Sequence, residues 1–190
     1  MKEEIMSYEN NNNGYVIWMT GLSGAGKTTI ALILEEELRK RNQRVERLDG
    51  DVVRESLTSD LGFSAEDRRK NIERVTFVAK LLSRNGVGAV CSFISPYQSV
   101  RDHVRDNTTN FMEVYIDAPL DVVIDRDVKG LYKKAIAGEI PNFTGISDPF
   151  EAPENPDIHV RTDQGTPEES AAQILRVLEE RGYIPMVEAA

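Results

Sequence analysis

The run Gly21-Leu22-Ser23-Gly24-Ala25-Gly26-Lys27-Thr28 fills every fixed position of the phosphate-binding loop G-x-x-x-x-G-K-[ST]. Gly21, Gly24 and Gly26 lack a Cβ, so the backbone there can take the positive-φ conformations that wrap N–H groups around an anion. Lys27 brings positive charge toward the β- and γ-phosphates, and Thr28 offers a hydroxyl to Mg²⁺. The chemistry this predicts is binding of a nucleoside triphosphate such as ATP, with Thr28 as metal ligand.

Such a loop works only between a strand and a helix, because the helix N-terminus must face the phosphates. Both flanks are present. Tyr15-Val16-Ile17-Trp18-Met19 is an apolar run of strand length, and Ile30, Ile33, Leu34 and Leu38 recur at helical spacing behind the loop. Further on, the pattern predicts a strand at Val45–Leu48 ending in Asp49-Gly50-Asp51, then a helix beginning near Val52. A long helix over Ala65–Arg84 carries Ile72, Val75, Ala79 and Leu82 on one face. Strands are expected over Val87–Ile94 and Phe111–Ile116, and a short helix over Lys129–Glu139. Thr166 reads as the N-cap of a last helix, with Pro167 in its first turn. Strands alternating with helices imply an α/β fold: a central, mainly parallel sheet covered on both sides, three layers in all. The Pro- and Gly-rich stretch from Pro141 to Asp157 is too long for an ordinary connection and is read as a lid or binding loop, ordered by Phe143 and Phe150.

The 190 residues are expected to form one domain over 15–190, preceded by a flexible polar leader over 1–14 that includes four consecutive asparagines. A net charge of −9 speaks against a general nucleic-acid surface. No apolar run reaches membrane-spanning length, and the first residues lack a signal-peptide layout, so the expected home is the cytoplasm. With Cys91 as the single cysteine, an internal disulfide or multi-cysteine zinc site is excluded.

Several further motifs lie in order along the chain: Leu48-Asp49-Gly50-Asp51-Val52-Val53-Arg54, Asp60-Leu61-Gly62-Phe63-Ser64 with Asp67-Arg68 and Asn71-Ile72, Phe93-Ile94-Ser95-Pro96-Tyr97, Arg126 to Ala135, Phe143-Thr144-Gly145-Ile146 and Phe150-Glu151-Ala152-Pro153. Together with the phosphate loop they resemble the adenylylsulfate kinase family from about Gly14 to Ile184. The resemblance implies a phosphate-loop kinase fold with a mobile lid. It also implies transfer of the ATP γ-phosphoryl group to the 3′-hydroxyl of adenosine 5′-phosphosulfate, with Mg²⁺, in a homodimer.

Roles follow from that resemblance and from the residue types. Residues Gly21–Thr28 with Thr29 and Arg126 are assigned to the nucleotide, and Lys27, Asp51, Lys129 and Ser95 to catalysis. Asp51 is the candidate to orient or deprotonate the 3′-hydroxyl, with Asp49 as its rival, and either carboxylate could instead cap the following helix. Arg54, Arg68 and Asn71 are read as the acceptor pocket, a guanidinium fork gripping the phosphosulfate, against the alternative of a solvated charged face. Phe63 and Phe143 are candidate stacking partners for the acceptor adenine; Ile94 and Leu131 complete the predicted substrate contacts. Ser95 is read as a substrate ligand in direct transfer rather than a phosphorylated intermediate, because no base adjoins it. Lys129 would neutralise charge developing on the transferred group. The chain departs from the family pattern at Val52, Gln98-Ser99-Val100, Ile124 and Phe150. Two other readings stay open: a small-metabolite or nucleoside kinase, and a catalytically silent nucleotide-binding module.

Overall fold

The computed structural model describes residues 14–186. Five parallel strands, β1 (Val16–Thr20), β2 (Val45–Asp49), β3 (Gly88–Ser92), β4 (Phe111–Asp117) and β5 (Ile158–Arg161), form one sheet in the order β2-β3-β1-β4-β5. The sequence foresees four of these. Ile158–Arg161 escapes because it is short and only Ile158 and Val160 are buried. Every pairing is parallel, so each connection crosses over the sheet and helices cover both faces.

One face is covered by α1 (Lys27–Lys40) and α7 (Pro167–Glu180). Ile30, Leu34 and Leu38 from α1 and Ala171, Ile174 and Leu178 from α7 pack there against Ile17, Met19 and Val114. The other face is covered by α3 (Ala65–Arg84) and α4 (Gln98–Asn107), where Ile72, Val75, Ala79, Val100 and Val104 enclose Trp18, Ala89 and Cys91. Odd and even strand positions thus face different layers, as the strand repeat of two requires. Thr166 caps α7 in a full capping box with Glu169, and Pro167 occupies its first turn.

The short helices diverge from expectation. The helix after Asp49 is α2 (Gly50–Glu55), two residues earlier than predicted; α5 (Leu120–Arg126) was not foreseen, nor was α4, and α6 spans only Leu131–Ile136. With apolar anchors at Val100 and Val104 alone, α4 is masked by its charges. Arg101 lies on it fully buried, its Nε donating to Glu113 Oε1 at 2.9 Å. Truncating one member of such a buried pair leaves an uncompensated charge, a loss of about 3–5 kcal/mol.

The expected leader at 1–14 lies outside the described residues except for Gly14, which is buried, its carbonyl accepting from Asn110 Nδ2 at 2.9 Å. A Cβ on Gly14 would come within 2.1 Å of the Ser83 carbonyl oxygen, so this position belongs to the packed domain. Among the described residues no helix is long and apolar enough to cross a membrane.

Candidate active site

Parallel strands of this order open a crevice at their carboxyl ends, and the predicted site residues converge on that edge. The phosphate loop leaves β1 with Gly21 at φ 153°, Gly24 at 75° and Gly26 at 105°. A Cβ at Gly21 would lie 2.2 Å from the Ile116 carbonyl oxygen, so that turn admits only glycine. Gly26 caps α1 without a side-chain hydrogen bond, and the first turn of α1 holds no acidic residue. The first N–H groups of the helix are thus left for an anionic ligand.

Lys27 is buried beneath the loop, and its Nζ donates to the carbonyls of Gly21 at 2.9 Å and Leu22 at 2.7 Å. Burial brings its ammonium down to about 8, helped by the charge of Lys129 and opposed by Asp49 and Asp51. Other loop carbonyls are held by residues to which the sequence reading gave no role. Tyr132 Oη donates to Ser23 O at 2.9 Å and Thr162 Oγ1 to Ala25 O at 2.8 Å. Arg126 joins this layer, donating to Thr162 O at 2.8 Å and weakly to Gly24 O at 3.4 Å. Thr28 and Thr29 remain exposed at the start of α1.

Gly50 separates the two rival carboxylates. Asp49 is buried at the end of β2 and is the N-cap of α2: its Oδ1 accepts from the Asp51 N–H at 3.0 Å and its Oδ2 from Thr28 Oγ1 at 2.9 Å. The capping role therefore falls to Asp49, which is also the partner of Thr28. Asp51 projects outward and ion-pairs with Lys129, across the gap between α2 and the segment leading into α6. A hydroxyl and a carboxylate are the hard oxygen donors that suit Mg²⁺, an ion that keeps phosphate and water as most of its ligands.

The basic side chains beyond α2 lie close together in an otherwise acidic chain. Arg54 stacks over the exposed Phe63 ring at 4.3 Å and donates to Gly62 O at 2.9 Å. Burial and the neighbouring charge of Arg68 push its guanidinium below the usual range. Arg68 spends its fork on the long loop: it donates to Phe63 O at 3.0 Å, to Thr144 Oγ1 and Asn142 O, and pairs with Asp148 at 3.5 Å. The loop is tied further by Tyr97 Oη to Asp148 at 3.0 Å and by Arg101 to Glu151 O at 2.7 Å. Phe143 sits on this loop, half-buried, edge-on to Tyr132 at 5.0 Å. Arg68 is therefore a clamp on the loop that bears Phe143.

Two assigned ligands turn inward. Asn71 is buried, its Oδ1 accepting from Thr58 Oγ1 at 2.7 Å, so it braces the α2–α3 connection. Ser95 is also buried: its Oγ accepts from Trp18 Nε1 at 3.1 Å and donates to Thr20 Oγ1 at 3.0 Å. Its φ of 38° is unusual for a residue with a side chain, and Arg101 fixes it by donating to Ser95 O at 2.8 Å. Both side chains are thus hydrogen-bonded within the protein at the floor of the crevice. Ile94 and Leu131 are half-buried at the crevice edge. Of the departures, Phe150 stacks on Tyr115 at 6.0 Å and Gln98 accepts from Arg101 at 2.6 Å, whereas Val52 is exposed.

Residues 13–161 match the family described as adenylylsulphate kinase. The chain is 72% identical over 163 residues to a probable adenylyl-sulfate kinase of Pseudomonas aeruginosa, covering 86% of this chain and 76% of the relative. It is 57% identical over 178 residues to the adenylyl-sulfate kinase of Halothermothrix orenii, covering 94% and 96%. Its fold is similar to that of the Mycobacterium tuberculosis APS kinase CysC in complex with AMPPNP and APS, with a TM-score of 0.85 and 41% identity over 88% of this chain and 98% of that one. A glycine-built anion loop, an acid pair split by Gly50 and this degree of likeness lead to one conclusion: the chain belongs to the adenylylsulphate kinase family.

Proposed function

We propose that this site transfers the γ-phosphoryl group of ATP to the 3′-hydroxyl of adenosine 5′-phosphosulfate, giving 3′-phosphoadenosine 5′-phosphosulfate and ADP in sulfate assimilation. Family membership makes the chain an ATP-dependent kinase. The observation that carries the acceptor is Arg54 stacked over the exposed Phe63 ring, with the loop that bears Phe143 held beside it by Arg68, a cationic aromatic face in a chain of net charge −9. A nucleotide with a doubly anionic tail suits that combination.

Phosphoryl transfer passes through a loose transition state, so the protein chiefly positions groups and balances charge. The free N–H groups of the loop and Lys27 would hold the β- and γ-phosphates. Thr28 would hold Mg²⁺, with Asp49 fixing the threonine hydroxyl; the bound ion supplies charge neutralisation across the phosphates. Asp51, outward and unconstrained except by Lys129, would take the acceptor hydroxyl, while Lys129 turns to the transferred group. Phe143 and the clamped loop would close over the acceptor and exclude water. Ser95 keeps the crevice floor in place, which favours direct transfer.

The test is incubation of the purified chain with Mg·ATP and adenosine 5′-phosphosulfate, then separation of nucleotides. Product from the sulfated acceptor, and none from AMP, is expected. Turnover of AMP alone would move the assignment to another nucleoside kinase, and binding without product to a silent module. A cytoplasmic homodimer completes the proposal. Six copies by light scattering, the state of the hexameric Thiobacillus denitrificans APS kinase, would overturn the dimer.

A further inference from the structure

One polar group at the crevice has no protein partner. Ser92, the last residue of β3, is buried, and its Oγ makes no hydrogen bond within the described residues. Elsewhere at this edge buried hydroxyls are paired, those of Thr20, Thr58 and Ser95 among them. An unpaired buried hydroxyl is a standing loss of stability, so its surroundings bear on what it is for.

The register shows where it faces. Ser92 lies opposite Asp49 on β2 and Met19 on β1. Along β3, Ala89 and Cys91 enter the core beneath α3 and α4, and Val90 enters the core beneath α1. Ser92, two residues after Val90, therefore faces α1 and the underside of the phosphate loop. On β2, Val45 faces that same layer, so Asp49, four residues on, shares it. Neighbouring strands run about 4.8 Å apart, so Ser92 and Asp49, whose carboxylate accepts from Thr28, project from adjacent register positions into the same layer.

We propose that Ser92 is a positioning residue for the magnesium–nucleotide complex: its hydroxyl, next to Asp49, takes a hydrogen bond from the hydration shell of the Mg²⁺ that Thr28 would hold. Magnesium sheds water reluctantly and its waters are strong donors, so an acceptor held in the wall beside Asp49 orients the ion's outer shell. The inference rests on the nucleotide reading of the site. It needs no contact between Ser92 and either substrate, and it gives a use to a hydroxyl that the protein itself leaves unpaired.

The experiment is calorimetric titration of ADP into the wild-type chain and Ser92→Ala, across a series of Mg²⁺ concentrations and in EDTA, with thermal unfolding of both unliganded proteins. The variant should need about tenfold more Mg²⁺ for half-maximal tightening of ADP, the scale of loss seen when an outer-shell partner of a metal is removed. Its affinity for ADP in EDTA should match the wild type, and its Tm should be equal or higher. Unchanged magnesium dependence, an equal loss with and without Mg²⁺, or a lowered Tm would each overturn the role of Ser92. Absence of any magnesium effect in the wild-type chain would instead overturn the nucleotide site.

Discussion

Arg68→Ala is the perturbation that best separates the acceptor side of the crevice from the nucleotide side. The side chain is largely buried and reaches across from α3 to three residues of the long loop, Asn142, Thr144 and Asp148. A hydrogen bond made by a charged group contributes about 1.5–3 kcal/mol net. The loop keeps its tie from Tyr97 to Asp148 and its anchors near Glu151, so the three Arg68 contacts will not be lost additively. Taking about 2 kcal/mol as the cost of ordering the loop without its clamp, the KM for adenosine 5′-phosphosulfate should rise about 30-fold at 1.4 kcal/mol per decade. Arg68 makes no hydrogen bond or ion pair with the phosphate loop, so the KM for Mg·ATP should stay within about threefold. Arg68→Lys keeps the charge and loses the fork, and should fall between the two. The assay is initial velocity with each substrate varied at saturating levels of the other. An equal rise in both KM values, or no rise in the acceptor KM, would refute the clamp.

The depressed Lys27 gives a proton signature. Its folded value of about 8 lies below the ordinary 10.5, so burial of the charge opposes folding below pH 8, and that penalty is relieved as pH climbs from 8 to 10.5. Bound phosphates favour the ammonium, so ADP binding at pH 8.5 should take up a fraction of a proton, measured by calorimetry in buffers of different ionisation enthalpy. No uptake at pH 8.5, or the same uptake at pH 7, would contradict this. Ser95→Ala leaves the Trp18 Nε1–H without its acceptor and should cost about 1–3 kcal/mol in urea unfolding, with kcat reduced less than about tenfold. Loss of kcat by about a thousandfold at unchanged stability, or phosphate found on Ser95 by mass spectrometry, would make it a nucleophile and refute direct transfer.

By itself the sequence determined the phosphate loop, the strand before it, the helix after it and the long helix over Ala65–Arg84. In each of these, chemistry or periodicity is local: three glycines, a lysine and a threonine in eight residues, or apolar side chains recurring at one helical repeat. The resemblance extended that reading to the kinase family and to Asp51, Lys129 and Arg68 as the residues at stake. Tertiary structure alone decided what each polar side chain is bonded to. Asp49 and Asp51 are equivalent by spacing, yet the chain turns into α2 at Gly50, which buries one as a cap and turns the other outward. Ser95 and Asn71 read as ligands because a hydroxyl and an amide can be ligands; the internal partners the fold gives them, Trp18 and Thr58, lie 77 and 13 residues away. Tyr132 and Thr162, which hold loop carbonyls, carry no local mark of that role, since the contacts span 109 and 137 residues. Hydrogen-bond satisfaction in a folded crevice is a property of long-range packing, and no window of sequence contains it.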